Sequence, residues 1–238
     1  MTYAQLEAIR GRIVVSCQAG PESPLNAPHF LAALAQSAEM GGAAAFRVDR
    51  PENVAAVRAV SDLPILGINK IHVPGYEVFI TPTFASARAV VEAGAGLVGL
   101  DGTGHPRPEG EDLGEIIQRL HAECGVPVMA DIATVEQGLA AAALGADLVA
   151  TTLAGHTPDS PGRDGPALDV LEALVAATDV PIVVEGHIWT VEDVRACFEL
   201  GAYALVIGSA ITVPQFITQR FVGAIPVGAG RTRVAVRS

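Results

Sequence analysis

The chain has 238 residues, half of them hydrophobic, and a formal net charge of −11 at neutral pH. That length and apolar content suit one large domain with a substantial core, and the negative balance argues against nucleic acid or an anionic membrane as partner, since either is repelled over most of the surface. Any anionic ligand must therefore meet a local positive site.

Met1 to Arg12 lacks the apolar core of a leader peptide, and the three cysteines, Cys17, Cys124 and Cys197, are odd in number and widely spaced, so a reducing cytoplasm is expected. Tyr3 to Arg10 reads as a short helix plugging the lower mouth of the domain built by the rest of the chain. The first strand is Arg12-Ile13-Val14-Val15-Ser16. After it, two kinds of strand beginning take turns. Gly42-Ala43-Ala44-Ala45-Phe46, the run from Gly94 to Leu100, the run from Gly145 to Val149 and the run from Gly201 to Ile207 start through glycine and alanine. Leu63-Pro64-Ile65-Leu66-Gly67-Ile68, Val126-Pro127-Val128-Met129-Ala130 and Val180-Pro181-Ile182-Val183-Val184 start through proline.

Helical patterns fill the gaps, as in Glu52 to Val60, Glu111 to Glu123, Val135 to Leu144 and Val191 to Leu200. Eight short apolar strands alternating with amphipathic helices predict a parallel sheet covered by helices and closed into a (β/α)₈ barrel. The alternative, a doubly wound open sheet, normally carries a Gly-rich dinucleotide turn after the first strand, and Gln18-Ala19-Gly20-Pro21 is not one. The long uncharged stretch from Leu200 to Gln219 contains Gly208, Ser209, Thr212, Pro214 and Gln215, which suit a strand, a tight turn and a helix start better than lipid. The barrel domain is expected over residues 1–222, and Gly223 to Ser238, with Arg231, Arg233 and Arg237, reads as a mobile tail.

In such barrels chemistry sits at the C-terminal strand ends, where the sequence places Gln18, Arg47, Lys70, Asp101, Asp131, Thr151 with Thr152, Glu185, and Gly208 with Ser209. Strand ends meet solvent in any case, so one polar residue there says little; a whole rim of them says more. Lys70 and Glu185 end strands three and seven, four apart in a ring of eight, and so approach the axis from opposite sides. This suits proton abstraction beside a carbonyl, with a lysine flanked by Ile68 and Ile71 made less basic by desolvation. A lysine facing a carboxylate is instead held charged, so the base at rest is left open, and a plain salt bridge from Lys70 to Glu185 or Asp131 is the structural alternative. The turn Gly208-Ser209-Ala210-Ile211-Thr212, with Gly186 beside it, suits phosphate. His105, His156 and His187 follow strands four, six and seven as loop histidines without metal-ligand spacing. Cys17 reads as a buried structural thiol.

Six runs in this order, Ser16-Cys17-Gln18-Ala19, Phe79-Ile80-Thr81-Pro82-Thr83, Met129-Ala130-Asp131-Ile132, Thr151-Thr152-Leu153-Ala154-Gly155, Val184-Glu185-Gly186 and Gly208-Ser209-Ala210-Ile211-Thr212, closely resemble the N-acylglucosamine-6-phosphate 2-epimerases of sialic-acid catabolism. The likeness spans Gly11 to Val222. It implies a (β/α)₈ barrel that inverts C2 of a phosphorylated amino sugar without metal or nicotinamide, Lys70 exchanging the C2 proton and Glu185 assisting. Gln18 takes the place of the family's amide, Arg47 of its sugar-binding arginine, and Asp131 of its aspartate; Thr152, Gly186, His187, Gly208 and Ser209 complete the substrate contacts. No cofactor, nucleic acid or membrane is expected, and the chain is expected to form a homodimer.

Departures from the family pattern are His156 for a tyrosine, His187 after Glu-Gly, Ile71 for an arginine, only Arg107 kept from an arginine-rich turn, and Val213 for an arginine after Ala-Ile-Thr. If His187 substitutes at the phosphate, affinity is expected to rise as pH falls from about 7.5 to about 6. Two other readings remain: a Schiff-base aldolase using Lys70 as nucleophile, and a catalytically silent sugar-phosphate-binding barrel.

Overall fold

The computed structural model describes residues 3–226. Its strands are β1 (Ile13–Cys17), β2 (Ala45–Asp49), β3 (Ile65–Ile68), β4 (Leu97–Asp101), β5 (Val128–Asp131), β6 (Leu148–Ala150), β7 (Ile182–Glu185) and β8 (Ala204–Ile207). Each pairs in parallel with the next, and β8 returns to β1 with Ile13 opposite Leu205 and Val14 opposite Val206. The sheet is a closed barrel, so the open-sheet alternative falls.

The helices are α1 (Ala4–Ile9), α2 (Pro28–Met40), α3 (Pro51–Arg58), α4 (Phe84–Glu92), α5 (Leu113–Arg119), α6 (Val135–Ala143), α7 (Leu168–Ala177), α8 (Val191–Glu199), α9 (Ser209–Thr212) and α10 (Pro214–Gly223). Side-chain caps start several of them: Thr83, Thr134 and Thr190 each accept a backbone N–H three residues on, and Asp112 accepts from Gly114 and Glu115. Such a cap is worth about 1 kcal/mol.

The glycine and proline beginnings lie just outside the strands. Gly42, Gly94, Gly145 and Gly201 adopt φ of 94°, 111°, 97° and 93°, the left-handed turn that ends the preceding helix and that a side chain disfavours. Pro64, Pro127 and Pro181 lend their carbonyls to the neighbouring strand, accepting from Phe46, Val98 and Val149, and lose nothing by lacking an N–H.

Two apolar shells arise from strand alternation. Val14, Ala45, Leu66, Leu97, Met129, Leu148, Val183 and Val206 fill the barrel interior, and Leu6 and Ile9 of α1 plug its lower mouth as expected. Phe46, Val48, Ile65, Val98 and Leu100 face outward onto Val54 and Val57 of α3, Val90 of α4 and Ile116 and Ile117 of α5.

The outer ring is incomplete where β8 meets β1. The segment Leu200 to Gln219 forms strand, turn and helix as the sequence implied, but α10 has no buried residue and leaves Phe216, Phe221 and Val222 exposed. Beside it an apolar groove of about 280 Å³ opens between Ile13, Val15, Leu34, Ala38 and Ile211. The expected tail begins at Gly223, where α10 ends; residues 227–238 of it lie outside the described residues. Among the described residues no helix is long and apolar enough to cross a membrane.

Close approach of α4 to β3 depends on Gly67, where an added Cβ would stand 2.6 Å from the Ala95 Cβ and 3.0 Å from the Val90 Cβ. Gly67→Ala should therefore overpack the interface and destabilise by about 1–3 kcal/mol, measured as a lower urea midpoint with unchanged slope.

Candidate active site

β2 exposes Ala45, Arg47 and Asp49 to the barrel interior by alternation, and Arg47 becomes the centre of a buried ion cluster. Its side chain is 1% exposed, against 0% for Asp131. Nη1 and Nη2 donate to the two Asp131 oxygens at 2.9 and 2.6 Å, and Nη1 also donates to Glu185 Oε2 at 2.5 Å. Thr152 Oγ1 sits between the carboxylates and donates to Asp131. Burial by itself opposes the Arg47 charge, but Asp131 and Glu185 outweigh it and push its pKa up. Thr151 locks the arrangement: its hydroxyl donates to the Glu185 carbonyl at 3.0 Å and accepts the Glu185 N–H at 3.2 Å.

Lys70 does not end β3. It lies two residues beyond, on a narrow ribbon in which Lys70 bridges Ile80 antiparallel, Ile71 N–H donates to Phe79 O at 2.9 Å and Thr81 N–H to Asn69 O at 3.0 Å. Asp49 Oδ1 accepts the Lys70 backbone N–H at 2.8 Å, and Lys70 Nζ donates to Gln18 Oε1 at 2.7 Å. The Gln18 amide is fixed in turn by donation to Ser16 Oγ at 2.7 Å. The salt bridge from Lys70 to Glu185 or Asp131 does not form, because Arg47 takes both carboxylates.

The lysine head is open to the cleft but walled by protein, and this partial desolvation, reinforced by the Arg47 charge, lowers its pKa against the pull of Asp49, Glu185 and Asp131. Burial raises Glu185 to about 7, with Asp131 adding to the effect and Arg47 and Lys70 opposing it. An amine made less basic and a carboxyl made less acidic thus share one mouth.

A cavity of about 510 Å³ opens above them toward the loops after β7 and β8, lined by Gln18, Lys70, Thr152, Glu185, Gly186, His187, Trp189, Gly208, Ser209, Val213 and Phe216 among others. A second lobe of about 270 Å³ contains Arg47, Phe79, Ile80 and Leu153, and shares Gln18, Lys70, Thr152, His156 and Glu185 with the first. The ten residues given a catalytic or substrate-contact role from the sequence therefore border this site or, for Asp131, hold its floor.

Other strand-end residues serve the framework. Asp101 accepts from the backbone and hydroxyl of Thr103, and the buried Arg107 donates to the carbonyls of Asp101 and Pro82. His105 leaves the site and joins Asp159 at 2.8 Å and Glu77 at 3.5 Å. Cys17 is fully buried and its thiol is pushed up to about 12. His156 and His187 stack with ring centres 4.6 Å apart. His187 follows Gly186 in a double left-handed turn, φ 100° and 57°, and its Nε2 is buried without a partner. Burial first, then His156 and Arg163, lower its pKa. This lowering works against the expectation that it gains charge between about 7.5 and about 6. Among the described residues no three His, Cys, Asp or Glu side chains are grouped to hold a metal ion.

Sequence reasoning gave no role to Asp49 and Ser16, which hold Lys70 and Gln18, or to Phe79, Ile80, Leu153, Trp189 and Phe216 on the walls. Alternation marked Asp49, two residues from Arg47; Ser16, Phe79, Ile80 and Leu153 stand in the runs that carry the family resemblance, but no hydrophobic pattern separates the apolar wall residues from core.

A closed (β/α)₈ barrel whose C-terminal mouth brings together a lysine made less basic and a glutamate made less acidic is the architecture of a barrel enzyme. Comparison narrows the class. The chain belongs to the N-acetylmannosamine-6-phosphate epimerase family: the family model described as "Putative N-acetylmannosamine-6-phosphate epimerase" matches residues 31–227. Relatives carrying a 2-epimerase description include one from Caldanaerobacter subterraneus subsp. tengcongensis, 41% identical over 91% of this chain and 92% of its own length. Another, from Cutibacterium acnes, is 45% identical over 91% of this chain and 94% of its own. The solved N-acetylmannosamine-6-phosphate 2-epimerase from Clostridium perfringens superposes with a TM-score of 0.91 at 36% identity, over 94% of this chain and 98% of that one.

Arg47→Met should strand two buried carboxylates and cost about 3–5 kcal/mol at neutral pH. Without the guanidinium Glu185 is raised further, and a carboxyl raised in the fold destabilises only while the unfolded chain is ionised. The deficit should therefore narrow as pH falls toward about 4, as followed by denaturant titrations across pH.

Proposed function

We infer that this enzyme interconverts N-acetylmannosamine 6-phosphate and N-acetylglucosamine 6-phosphate by moving the C2 proton between Lys70 and Glu185. The observation that carries the reading is the division of charge in the mouth: Arg47 absorbs Asp131 and Glu185, so Lys70 is not clamped as an ammonium.

In the open-chain aldehyde the C2 hydrogen is α to a carbonyl. Neutral Lys70 removes it, electron density moves to O1, and protonated Glu185 delivers a proton to the opposite face. Lys70 then carries the proton that Glu185 has lost, and the reverse reaction starts from that state. Gln18, held by Ser16, orients the Lys70 head. Arg47 lends positive charge as the enolate develops, and Asp131 and Thr152 fix Glu185 through Arg47. The phosphate lies in the wider lobe, against Gly186, His187, Gly208 and Ser209. An arginine at position 213 would add a charge-assisted contact there; Val213 lines the same lobe.

The fold also supports a homodimer, because the apolar face of α10 and the groove between β1 and α2 are surfaces that a second copy would cover. We assign the reaction to the cytoplasmic breakdown of amino sugars such as sialic acid, consistent with three unpaired thiols.

Lys70→Met should abolish C2 deuterium uptake in heavy water, leaving less than about a hundredth of the activity. Glu185→Gln should lose inversion yet keep exchange from the substrate whose C2 hydrogen faces Lys70. Wild-type epimerisation by Glu185→Gln would overturn the two-residue scheme.

A pair sharing one proton works between its two pKa values. Below about 7 both Glu185 and Lys70 hold protons; above the lowered lysine value both have lost them. The plot of kcat/KM against pH should therefore show an acid limb near 7 and an alkaline limb below the ordinary lysine value of about 10.4, whereas C2 exchange by Glu185→Gln, which needs only neutral Lys70, should rise with pH and lose the alkaline limb.

A further inference from the structure

We propose that Asp49 is the positioning residue of the base: its carboxylate fixes the main chain of Lys70, and its negative charge keeps Lys70 basic enough to take a proton from carbon. The purpose assigned to Asp49 rests on the C2 chemistry above; its action on Lys70 does not.

The ladder between β2 and β3 runs out where Asp49 stands opposite Ile68, and its last main-chain bond is Arg50 N–H to Ile68 O at 2.8 Å. Lys70 lies beyond that point. Its N–H is accepted by the Asp49 side chain in place of a strand carbonyl, with Oδ1 at 2.8 Å. Asp49 is itself pinned from behind, because Asn53, 2% exposed in the first turn of α3, donates Nδ2 to the Asp49 carbonyl at 2.7 Å. The end of β2 therefore sets where the ribbon leaves the barrel, and with it the place of Lys70 in the mouth.

The charge of Asp49 is also disposed differently from that of its neighbours. Three carboxylates act on Lys70, and Arg47 holds two of them, Asp131 and Glu185, in direct contact. Among the described residues Asp49 forms no ion pair. The guanidinium of Arg50, next in the chain, is turned instead to Asn26 Oδ1 at 2.5 Å and Glu52 at 3.8 Å. Burial and then Arg47 lower the Lys70 pKa, and Asp49 opposes them more than Glu185 or Asp131 does. Burial raises the Asp49 carboxyl in turn, against the Lys70 N–H and the charges of Lys70, Arg50 and Arg47.

A general base has to be neutral to act, yet every loss of basicity weakens its pull on a carbon-bound proton. Arg47 and desolvation serve the first need. Asp49 serves the second, and steadies the ammonium once the proton has moved.

Lys70 is the only lysine in the sequence, so isotope-labelled lysine gives one ε-methylene NMR signal, whose movement with pH reports the base without turnover. Asp49→Asn keeps an acceptor for the Lys70 N–H and loses the charge. Its Lys70 midpoint should fall by about 1 on the pH scale or more, and the alkaline limb of kcat/KM should move down with it. Glu77→Gln, which removes an exposed carboxylate from the same ribbon, should leave both in place. Asp49→Ala loses the acceptor as well and should lower kcat at least about tenfold below Asp49→Asn. A midpoint unchanged in Asp49→Asn, or moved as far by Glu77→Gln, overturns the role of the charge; an Asp49→Ala enzyme as fast as Asp49→Asn overturns the positioning. If wild type exchanges no C2 hydrogen, it is the reaction that has failed. The midpoints then still decide the charge, and hydrogen exchange of the Lys70 N–H, expected faster in Asp49→Ala than in Asp49→Asn, decides the positioning.

Discussion

Everything in the mouth depends on one buried contact, the guanidinium of Arg47 set between Asp131 and Glu185. A lysine beside two carboxylates is ordinarily a fixed ammonium, since opposite charges within a few ångströms favour ionisation. Here one cation balances one carboxylate, and a protonated Glu185 leaves the cluster of Arg47, Asp131 and Glu185 neutral as a whole. Desolvation and the Arg47 charge then win at Lys70, and desolvation wins at Glu185. Pairs of this kind add little net stability compared with well-packed hydrocarbon, because both ions must be stripped of water. Their worth here is positional: strands β2, β5 and β7 each contribute one member, so the barrel cross-section itself is specified by the cluster.

Much of this was legible in the sequence, for a reason rooted in period. Strands that alternate inward and outward, with proline or glycine at their beginnings, announce both their number and their polarity, and a parallel barrel places all their C-terminal ends on one rim. Gln18, Arg47, Asp131, Thr152, Glu185 and Gly208 can be collected on that basis alone. What period cannot show is pairing through space. The partner of Glu185 is Arg47 and not Lys70, because Lys70 belongs to the ribbon past β3 and is turned toward Gln18. Nor does period distinguish an apolar residue that lines a lobe from one that fills a core, so Phe79, Ile80 and Leu153 stand out only through the family runs that contain them.

The histidines illustrate the same limit from the other side. His156, His187 and His105 all follow strands and look equivalent in sequence, yet two of them stack against each other inside the site while the third links the loops after β3, β4 and β6 through Glu77 and Asp159. The environment also works against an inference from ordinary acidity. The pKa of the imidazole at position 187 is lowered by burial, by His156 and by Arg163, so its role does not follow from the acidity it has in water.

The closure of the barrel has a consequence for how the chain comes into being. β1 is made before the other seven strands, but one of its two edges pairs only with β8, Val14 with Val206. Until the end of the barrel has left the ribosome, that edge is an unpaired row of backbone donors and acceptors, the kind of template on which other chains can assemble. A contact this distant in sequence is slow to form, since the whole intervening loop must be closed first. The final strand is therefore the one whose delay or truncation exposes the protein most to aggregation in the cell.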